Sequence, residues 1–165
     1  MTDFKTRCYR LLMSRVVLML LNALLVYFAS LILWDLGREA LEGRLHAHEM
    51  EYVIEGMAVL GIAFGVALEC RKDLMEIFGL YPRYESETEL SIDQVCHDFG
   101  IGYLLFGLFM EIPIQAVKVP DHVFNTSGAE LATLFASIPF VLATGAIGVK
   151  AIWRLFRLPP ARAGH

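Results

Sequence analysis

Four long apolar segments, separated by short polar stretches, follow one another along the chain, at residues 16–34, 52–68, 99–117 and 131–149. A helix rises about 1.5 Å per residue, so each segment is long enough to cross the roughly 30 Å hydrocarbon core of a bilayer. The pattern therefore predicts an all-α fold, an integral membrane four-transmembrane-helix bundle. We expect a single domain over residues 1–158, with spans at about 16–36, 51–70, 98–118 and 129–150.

Basic residues fall mainly on one side of these spans. Of the 14 lysines and arginines, four precede the first span, three lie between the second and third, and four follow the fourth. Only Arg38, Arg44 and Lys118 lie on the other side. Cytoplasmic loops of membrane proteins carry the excess of basic residues, so this asymmetry predicts that the N and C termini are both cytoplasmic. We expect a multi-pass protein of a bacterial inner membrane.

Turn residues mark the predicted ends of the helices. Gly37 interrupts the apolar pattern after the first span. The second helix is expected to continue through residues 70–78 and to end at Gly79. This continuation is amphipathic, and we expect its Arg71 and Lys72 to meet anionic lipid.

Serines mark the predicted starts of the last two long helices. A capping box at Ser86 or Ser91 opens the third span, and another at Ser127 opens the fourth. After the fourth span, two prolines stop the helix, and residues 159–165 are predicted to form a disordered tail.

The composition agrees with a membrane protein. The chain of 165 residues is 56% hydrophobic with a mean hydropathy of +0.54, whereas a soluble domain is usually about 45–50% apolar. No basic patch with interleaved aromatic residues is present, so we expect no nucleic-acid partner. The expected partners are the lipid bilayer and either another membrane protein or further copies of this chain.

Two spans carry acidic residues in their interiors. Glu55 lies in the second span and Glu111 in the third, although a charged group there costs about 2.5–3.5 kcal/mol on insertion scales. On a helical wheel each acid shares a stripe with small and polar residues, which is typical of helix contacts and water-filled cavities. The stripes comprise Glu51, Glu55, Ala58, Ile62, Gly65 and Glu69 on one helix, and His97, Gly100, Leu104, Gly107, Glu111, Gln115 and Lys118 on the other.

We expect these two stripes to pack against each other. They then form an intramembrane polar site of Glu55, Glu111 and Gln115. Glu51 and Lys118 lie at matching depths near the outer interface and are predicted to form an ion pair. A simpler interpretation stays open, in which each acid is hydrogen-bonded and only fixes the packing of the helices.

Histidines on the side opposite the termini are candidates for a metal site. His46 and His48 lie in the first loop and His122 in the third. Imidazole with carboxylates suits zinc, copper or iron, but this spacing matches no established motif, and a solvated loop explains it as well. No predicted span contains a histidine, so a haem b held by two histidines is disfavoured and no cofactor is implied.

The sequence also lacks the common catalytic motifs: the phosphate-binding P-loop, HExxH, GxSxG and the dinucleotide-binding glycine pattern. We therefore favour a small accessory or structural membrane subunit, and not an enzyme, that acts through helix–helix contacts. The alternative is an oligomeric transporter, channel or proton-handling protein that uses Glu55 and Glu111. A membrane metalloenzyme with its metal at His46, His48 and His122 is the third candidate.

Overall fold

The structure, a computed structural model, describes residues 14–42, 47–77, 79, 87–121 and 129–158. Within these ranges every regular element is a helix. Four helices are long and apolar enough to cross a membrane, and the fifth is short. The predicted all-α class with four potential transmembrane helices is therefore confirmed. The helices are α1 (Arg15–Glu42), α2 (Ala47–Glu69), α3 (Arg71–Ile77), α4 (Glu87–Asp121) and α5 (Ala129–Arg157).

The four long helices alternate in direction and form a ring. α1 packs on α5, α5 on α4, and α4 on α2, and the contact between α2 and α4 is the most extensive. α1 and α2 follow each other in sequence but touch sparsely. The end of the bundle with the start of α1, the end of α5 and α3 is called the termini end below. The opposite end, where α2 and α5 begin, is called the loop end.

Large apolar side chains cover the outside of the ring as well as its interior. A soluble bundle would present mostly polar residues on its outer faces. The surface of a helix that faces lipid is instead as apolar as its interior, because lipid tails are themselves apolar. This distribution agrees with four membrane-spanning helices. Examples of exposed apolar residues, taken from each long helix, are Leu20, Trp34, Val59, Ile112, Leu142 and Phe156.

Two predicted helix boundaries differ from the structure. α1 does not end near Gly37 but continues to Glu42, and Asp35 and Arg38 form an ion pair across this stretch at 2.8 Å. A glycine inside a helix costs only about 1 kcal/mol relative to alanine, which the flanking helix formers offset. The second helix is interrupted at Cys70, although its amide still donates to the carbonyl of Val66 at 2.9 Å.

The predicted end of the following short helix is confirmed. α3 ends at Ile77, and Gly79 has a φ of 64°, the left-handed conformation that glycine adopts readily at a helix C-terminus. Its amide donates to the carbonyl of Glu76 at 3.0 Å. α4 begins at Glu87 and α5 at Ala129, close to the predicted capping serines, but Ser86, Ser127 and the predicted tail 159–165 lie outside the described residues.

A glycine seam brings the backbones of α2 and α4 into contact. A Cβ atom on Gly65 would lie 2.6 Å from the amide nitrogen of Leu104 and 2.7 Å from the carbonyl oxygen of Gly100. A Cβ atom on Gly107 would lie 2.8 Å from the carbonyl oxygen of Ala58. Only glycine permits this approach, so the predicted packing of the two stripes is confirmed at the level of the backbone.

Candidate functional site

The predicted polar residues meet at the loop end, in what we call the loop-end cluster: Glu55 of α2 with Glu111, Gln115 and Lys118 of α4. The Nε2 atom of Gln115 donates to Oε1 of Glu111 at 2.7 Å and to Oε1 of Glu55 at 3.1 Å. Lys118 donates from Nζ to Oε2 of Glu55. The amide of Gln115 therefore stands between the two carboxylates and binds both.

Helix geometry explains why these side chains converge. Glu111, Gln115 and Lys118 are spaced four and three residues apart, so they lie one above another on a single face of α4. The glycine seam holds that face against α2. Glu55 lies on the facing stripe of α2, and its two oxygens accept from two different α4 side chains.

Lys118 makes its described ion pair with Glu55, one helical turn further into the bundle than the predicted partner Glu51. The ammonium also lies 4.4 Å from the centroid of the Tyr52 ring, a cation–π contact. Glu51 is 5% exposed and near enough for its charge to attract Lys118. The cluster therefore brings one ammonium group, three carboxyl groups and an aromatic ring together at the loop end.

Two buried carboxyl oxygens at the loop end, Oε2 of Glu111 and Oε1 of Glu51, accept no hydrogen bond from the described chain. Oε2 of Glu111 is buried and lacks a hydrogen-bond partner among the described residues, while Oε1 of the same side chain accepts from Gln115. A buried carboxyl oxygen without a donor is unfavourable when ionised.

The candidate metal residues are hardly described. His46 and His122 lie outside the described ranges, and His48 lies in α2 without a described side chain. In the part of the chain that the structure describes, no group of three or more His, Cys, Asp or Glu side chains is arranged to hold a metal ion. The metal site at these histidines stays a prediction.

Sequence reasoning missed a second polar cluster, at the termini end, which consists of Arg71, Glu89 and Asp93. Arg71 follows α2, and the two acids lie one turn apart near the start of α4. The guanidinium donates to Oε2 of Glu89 at 2.9 Å and to Oδ1 of Asp93. The side chain of Arg71 is 2% exposed, so the expectation that it meets lipid headgroups is wrong.

Arg71 can be buried because the two carboxylates that bind it balance its positive charge. Burial alone would lower the pKa of the guanidinium, but the hydrogen bond to Glu89 and the charge of Asp93 outweigh burial and raise the pKa of Arg71. A raised pKa means that the guanidinium stays charged, and keeps its stabilising contacts, up to a pH beyond its already high ordinary pKa. Deprotonation of Arg71 therefore does not weaken this contact near neutral pH. The pair of acids at i and i+4 was the sequence feature that could have revealed it.

Three further polar contacts join helices near the termini end. Nδ1 of His97 lies 2.7 Å from Oε1 of Glu69, which links α4 to α2. Nη1 of Arg154 donates to Oδ2 of Asp98 at 3.0 Å, which links α5 to α4. Arg15 donates to the carbonyls of Phe156 at 2.6 Å and of Leu158 at 2.8 Å. These carbonyls belong to the last turn of α5, so Arg15 caps that helix.

Further buried polar groups, on α1, α4 and α5, lie inside the bundle and are hydrogen-bonded. The hydroxyl of Tyr103 donates to Oδ1 of Asn22 at 2.7 Å, so α4 and α1 are joined across the ring, a contact that sequence reasoning also missed. Ser137 and Thr144 of α5 donate to their own i−4 carbonyls, at 2.9 and 2.8 Å, as expected for hydroxyls inside an apolar helix.

No protein-family model, curated protein sequence or solved structure matches this chain. What the arrangement can do chemically must therefore be argued from its own geometry. The two clusters on the α2–α4 contact lie at opposite ends of the bundle. On α2, Glu55 of the loop-end cluster and Glu69, two residues before Arg71, are separated by about 21 Å of helix rise.

Proposed function

We propose that this protein is an accessory or structural membrane subunit. It acts through helix contacts with a larger membrane protein or with further copies of itself. The observation that carries the proposal is the closed contact between α2 and α4. Most of the polar groups on that contact bind one another, and backbone atoms of the two helices fill the space between the clusters. Within a single copy, the polar residues therefore bind neighbouring helices to each other.

The glycine seam argues against a pore along the predicted stripes. A water-filled path from the loop end to the termini end would have to pass Gly107 and Gly65. At both positions a single added methyl group would lie within 2.9 Å of atoms of the facing helix. The backbones of the two helices are in direct contact at both positions and leave no gap for a water molecule beside either glycine, so the seam excludes water there. Transport by this chain would need a path built with another subunit.

A groove between α1 and α2 supports the proposal of a helical partner. It has a volume of about 410 Å³ and an almost entirely apolar lining that includes Phe28, Trp34, Met57 and Gly56. A Cβ atom on Gly56 would meet no atom within 4 Å. Glycine at an open position lets the backbone of another helix approach closely, as at the α2–α4 seam of this chain.

The partner proposal is tested by isolation of the protein from native membranes in a mild detergent. We expect a stoichiometric membrane protein, or a defined oligomer, to accompany the chain. Gly56→Leu should abolish the association, because its side chain fills the groove, while the isolated chain stays folded. Ala63→Leu is the matched control, since Ala63 is exposed on the same helix and does not line the groove. A chain that runs as a lone monomer without any partner contradicts the proposal.

The orientation is part of the same proposal. From the distribution of basic residues we propose that both termini are cytoplasmic and that the protein lies in a bacterial inner membrane. Reporter fusions after Arg83 and at the C-terminus should both give a cytoplasmic signal. A periplasmic signal from the Arg83 fusion would reverse the orientation, and with it the side of the membrane on which the loop-end cluster lies.

A second candidate function, proton handling, is favoured by one observation, the buried Oε2 of Glu111 without a donor in the described chain. The test is proton flux into liposomes that contain the purified chain. Proton handling predicts flux that Glu55→Gln and Glu111→Gln each reduce with folding intact, whereas Glu76→Gln, at an exposed position of α3, leaves it unchanged. Absence of flux from the wild-type chain, or full flux in the double variant, rejects this candidate.

A further inference from the structure

The last turns of α5 carry positive charge that the described residues neutralise only in part. Lys150, Arg154 and Arg157 lie there without any acidic residue from 131 to 157. Arg154 is paired with Asp98 at 3.0 Å and lies over the ring of Phe99. Lys150 and Arg157 have no ion pair with a carboxylate of the described chain. Two exposed cations on this helix are therefore available to an external anion.

These two cations lie on one face with an exposed tryptophan between them. Lys150, Trp153 and Arg157 are spaced three and four residues apart, so they share a face of α5. The guanidinium of Arg157 lies 4.4 Å from the centroid of the Trp153 ring. Helical side chains bend toward the helix N-terminus, and this stacking brings the charge of Arg157 back toward Lys150. Arg15 binds the carbonyls at the end of α5, so the helical turn that carries this face is held in place.

An apolar groove adjoins the same cations. It has a volume of about 500 Å³, and Lys150 is the one charged residue in its lining. The small side chain of Ala146 and the bulk of Val149 and Trp153 give the groove its shape. A ligand in this groove would therefore contact the apolar lining and the charged residue together. The lining residues are Ala146, Val149, Lys150, Ile152, Trp153 and Phe156.

We propose that this face of α5 binds an anionic phospholipid. The phosphate lies between Lys150 and Arg157, and an acyl chain lies in the groove beside Ala146 and Val149. The charge of the face selects the headgroup, because two cations without a carboxylate partner favour a lipid with net negative charge over a zwitterionic one. Trp153 lies where the apolar and charged parts meet, which is the depth that tryptophan favours in a bilayer.

The two tryptophans of the chain, Trp34 and Trp153, make the proposal measurable by fluorescence. In the Trp34→Phe variant Trp153 is the single reporter at the termini end, and in Trp153→Phe the reporter is Trp34. Each is reconstituted into vesicles of phosphatidylcholine that contain a small fraction of a brominated lipid, either phosphatidylglycerol or phosphatidylcholine. Bromine quenches tryptophan on contact. We expect brominated phosphatidylglycerol to quench Trp153 several-fold more effectively than brominated phosphatidylcholine, and Trp34 to show a smaller preference.

The charge requirement is tested in the Trp34→Phe background. Each lost cation should weaken the preference by roughly five-fold, so Lys150→Gln with Arg157→Gln should remove it. The matched control, Arg38→Gln with Lys72→Gln, removes two exposed cations that have carboxylate partners and should keep it. Inorganic phosphate in millimolar excess should not displace the lipid, because phosphate does not fill the groove.

Three results would overturn the proposal. Equal quenching of Trp153 by the two brominated lipids would show that the face has no headgroup preference. A preference that survives the loss of Lys150 and Arg157 would place the lipid elsewhere. Displacement by inorganic phosphate would assign the cations to a free anion. Circular dichroism of each variant, with the wild-type helical signal expected, ensures that a lost preference is not a loss of folding.

Discussion

The two polar clusters each hold a cation between neighbouring helices, but they bury that cation to different degrees. At the loop end, the side chain of Lys118 is 24% exposed and that of Glu55 is 25% exposed, and Gln115 links them to a second carboxylate. At the termini end, Arg71 is 2% exposed and its guanidinium is held by two carboxylates. Both clusters fasten neighbouring helices, but only the second encloses its charge completely.

This difference follows from the chemistry of the two cations. The guanidinium of Arg71 is a planar group with five N–H donors, so it can bind Glu89 and Asp93 at once and stay charged. The ammonium of Lys118 is a compact, strongly hydrated charge, and it keeps partial contact with the surroundings. The termini-end cluster is therefore a permanently charged contact between helices. The loop-end cluster is more open and contains a buried carboxyl oxygen of Glu111 that accepts no hydrogen bond from the described chain.

The largest effect is expected from Arg71→Met. It leaves the carboxylates of Glu89 and Asp93 facing each other without a cation, and loss of one partner of a buried ion pair costs about 3–5 kcal/mol. The free energy of unfolding, measured by denaturation in mixed detergent micelles, should fall by that amount. The neighbouring Lys72→Met removes the same charge from an exposed position and should change stability by less than about 0.5 kcal/mol. Equal effects of the two variants would show that Arg71 is not buried in this way.

A somewhat smaller loss is expected from Gly65→Ala in the seam between the two clusters. Its methyl group would overlap backbone atoms of Leu104 and Gly100, which cannot move like a flexible side chain, so overpacking of about 1–3 kcal/mol follows. Gly56→Ala is the control on the same helix, where the methyl group meets nothing within 4 Å. It should be neutral or stabilising by up to about 1 kcal/mol. If both variants are tolerated alike, α2 and α4 are further apart than described.

Lys118→Met measures how much the loop-end cluster contributes to stability relative to the termini-end cluster. This change leaves Glu55 with its bond to Gln115 and with partial hydration, so we expect a loss of about 1–2 kcal/mol, less than half of the effect of Arg71→Met. The same unfolding measurement applies, with Lys150→Met as a control for the loss of an exposed lysine that has no carboxylate partner. A loss as large as that for Arg71→Met would mean that the loop-end cluster is enclosed in the membrane.

The smallest effect is expected in α5, away from both clusters. Ser137→Ala removes a hydroxyl that only donates to a carbonyl of its own helix, so stability should change by less than about 0.5 kcal/mol. Tyr103→Phe is the informative contrast, because it breaks the hydrogen bond to Asn22 of α1 and should cost about 1 kcal/mol. Thermal unfolding of the two variants side by side should separate them. A larger loss for Ser137→Ala would place an important polar contact on α5.

The sequence by itself determined the helical class, the four long apolar helices and the pair of faces that meet between α2 and α4. Apolar length and helical periodicity are local properties of the chain, so they can be read without the fold. The same periodicity brought Glu55, Glu111 and Gln115 together, because acids and glycines repeat on one face of each helix. The extension of α1 beyond Gly37 was missed, since a single glycine stops a helix only when the backbone turns there.

Only the tertiary structure decided which charges became enclosed. Arg71 has the sequence context of a lipid-facing residue, and it is buried because the interruption at Cys70 and the start of α4 bring Glu89 and Asp93 to it. Likewise the ion pair between Lys118 and Glu55 and the hydrogen bond between Tyr103 and Asn22 across the ring were not predicted. These partners lie far apart in the chain. Their contacts depend on the rotation and close approach of whole helices, which the local pattern of residues does not specify.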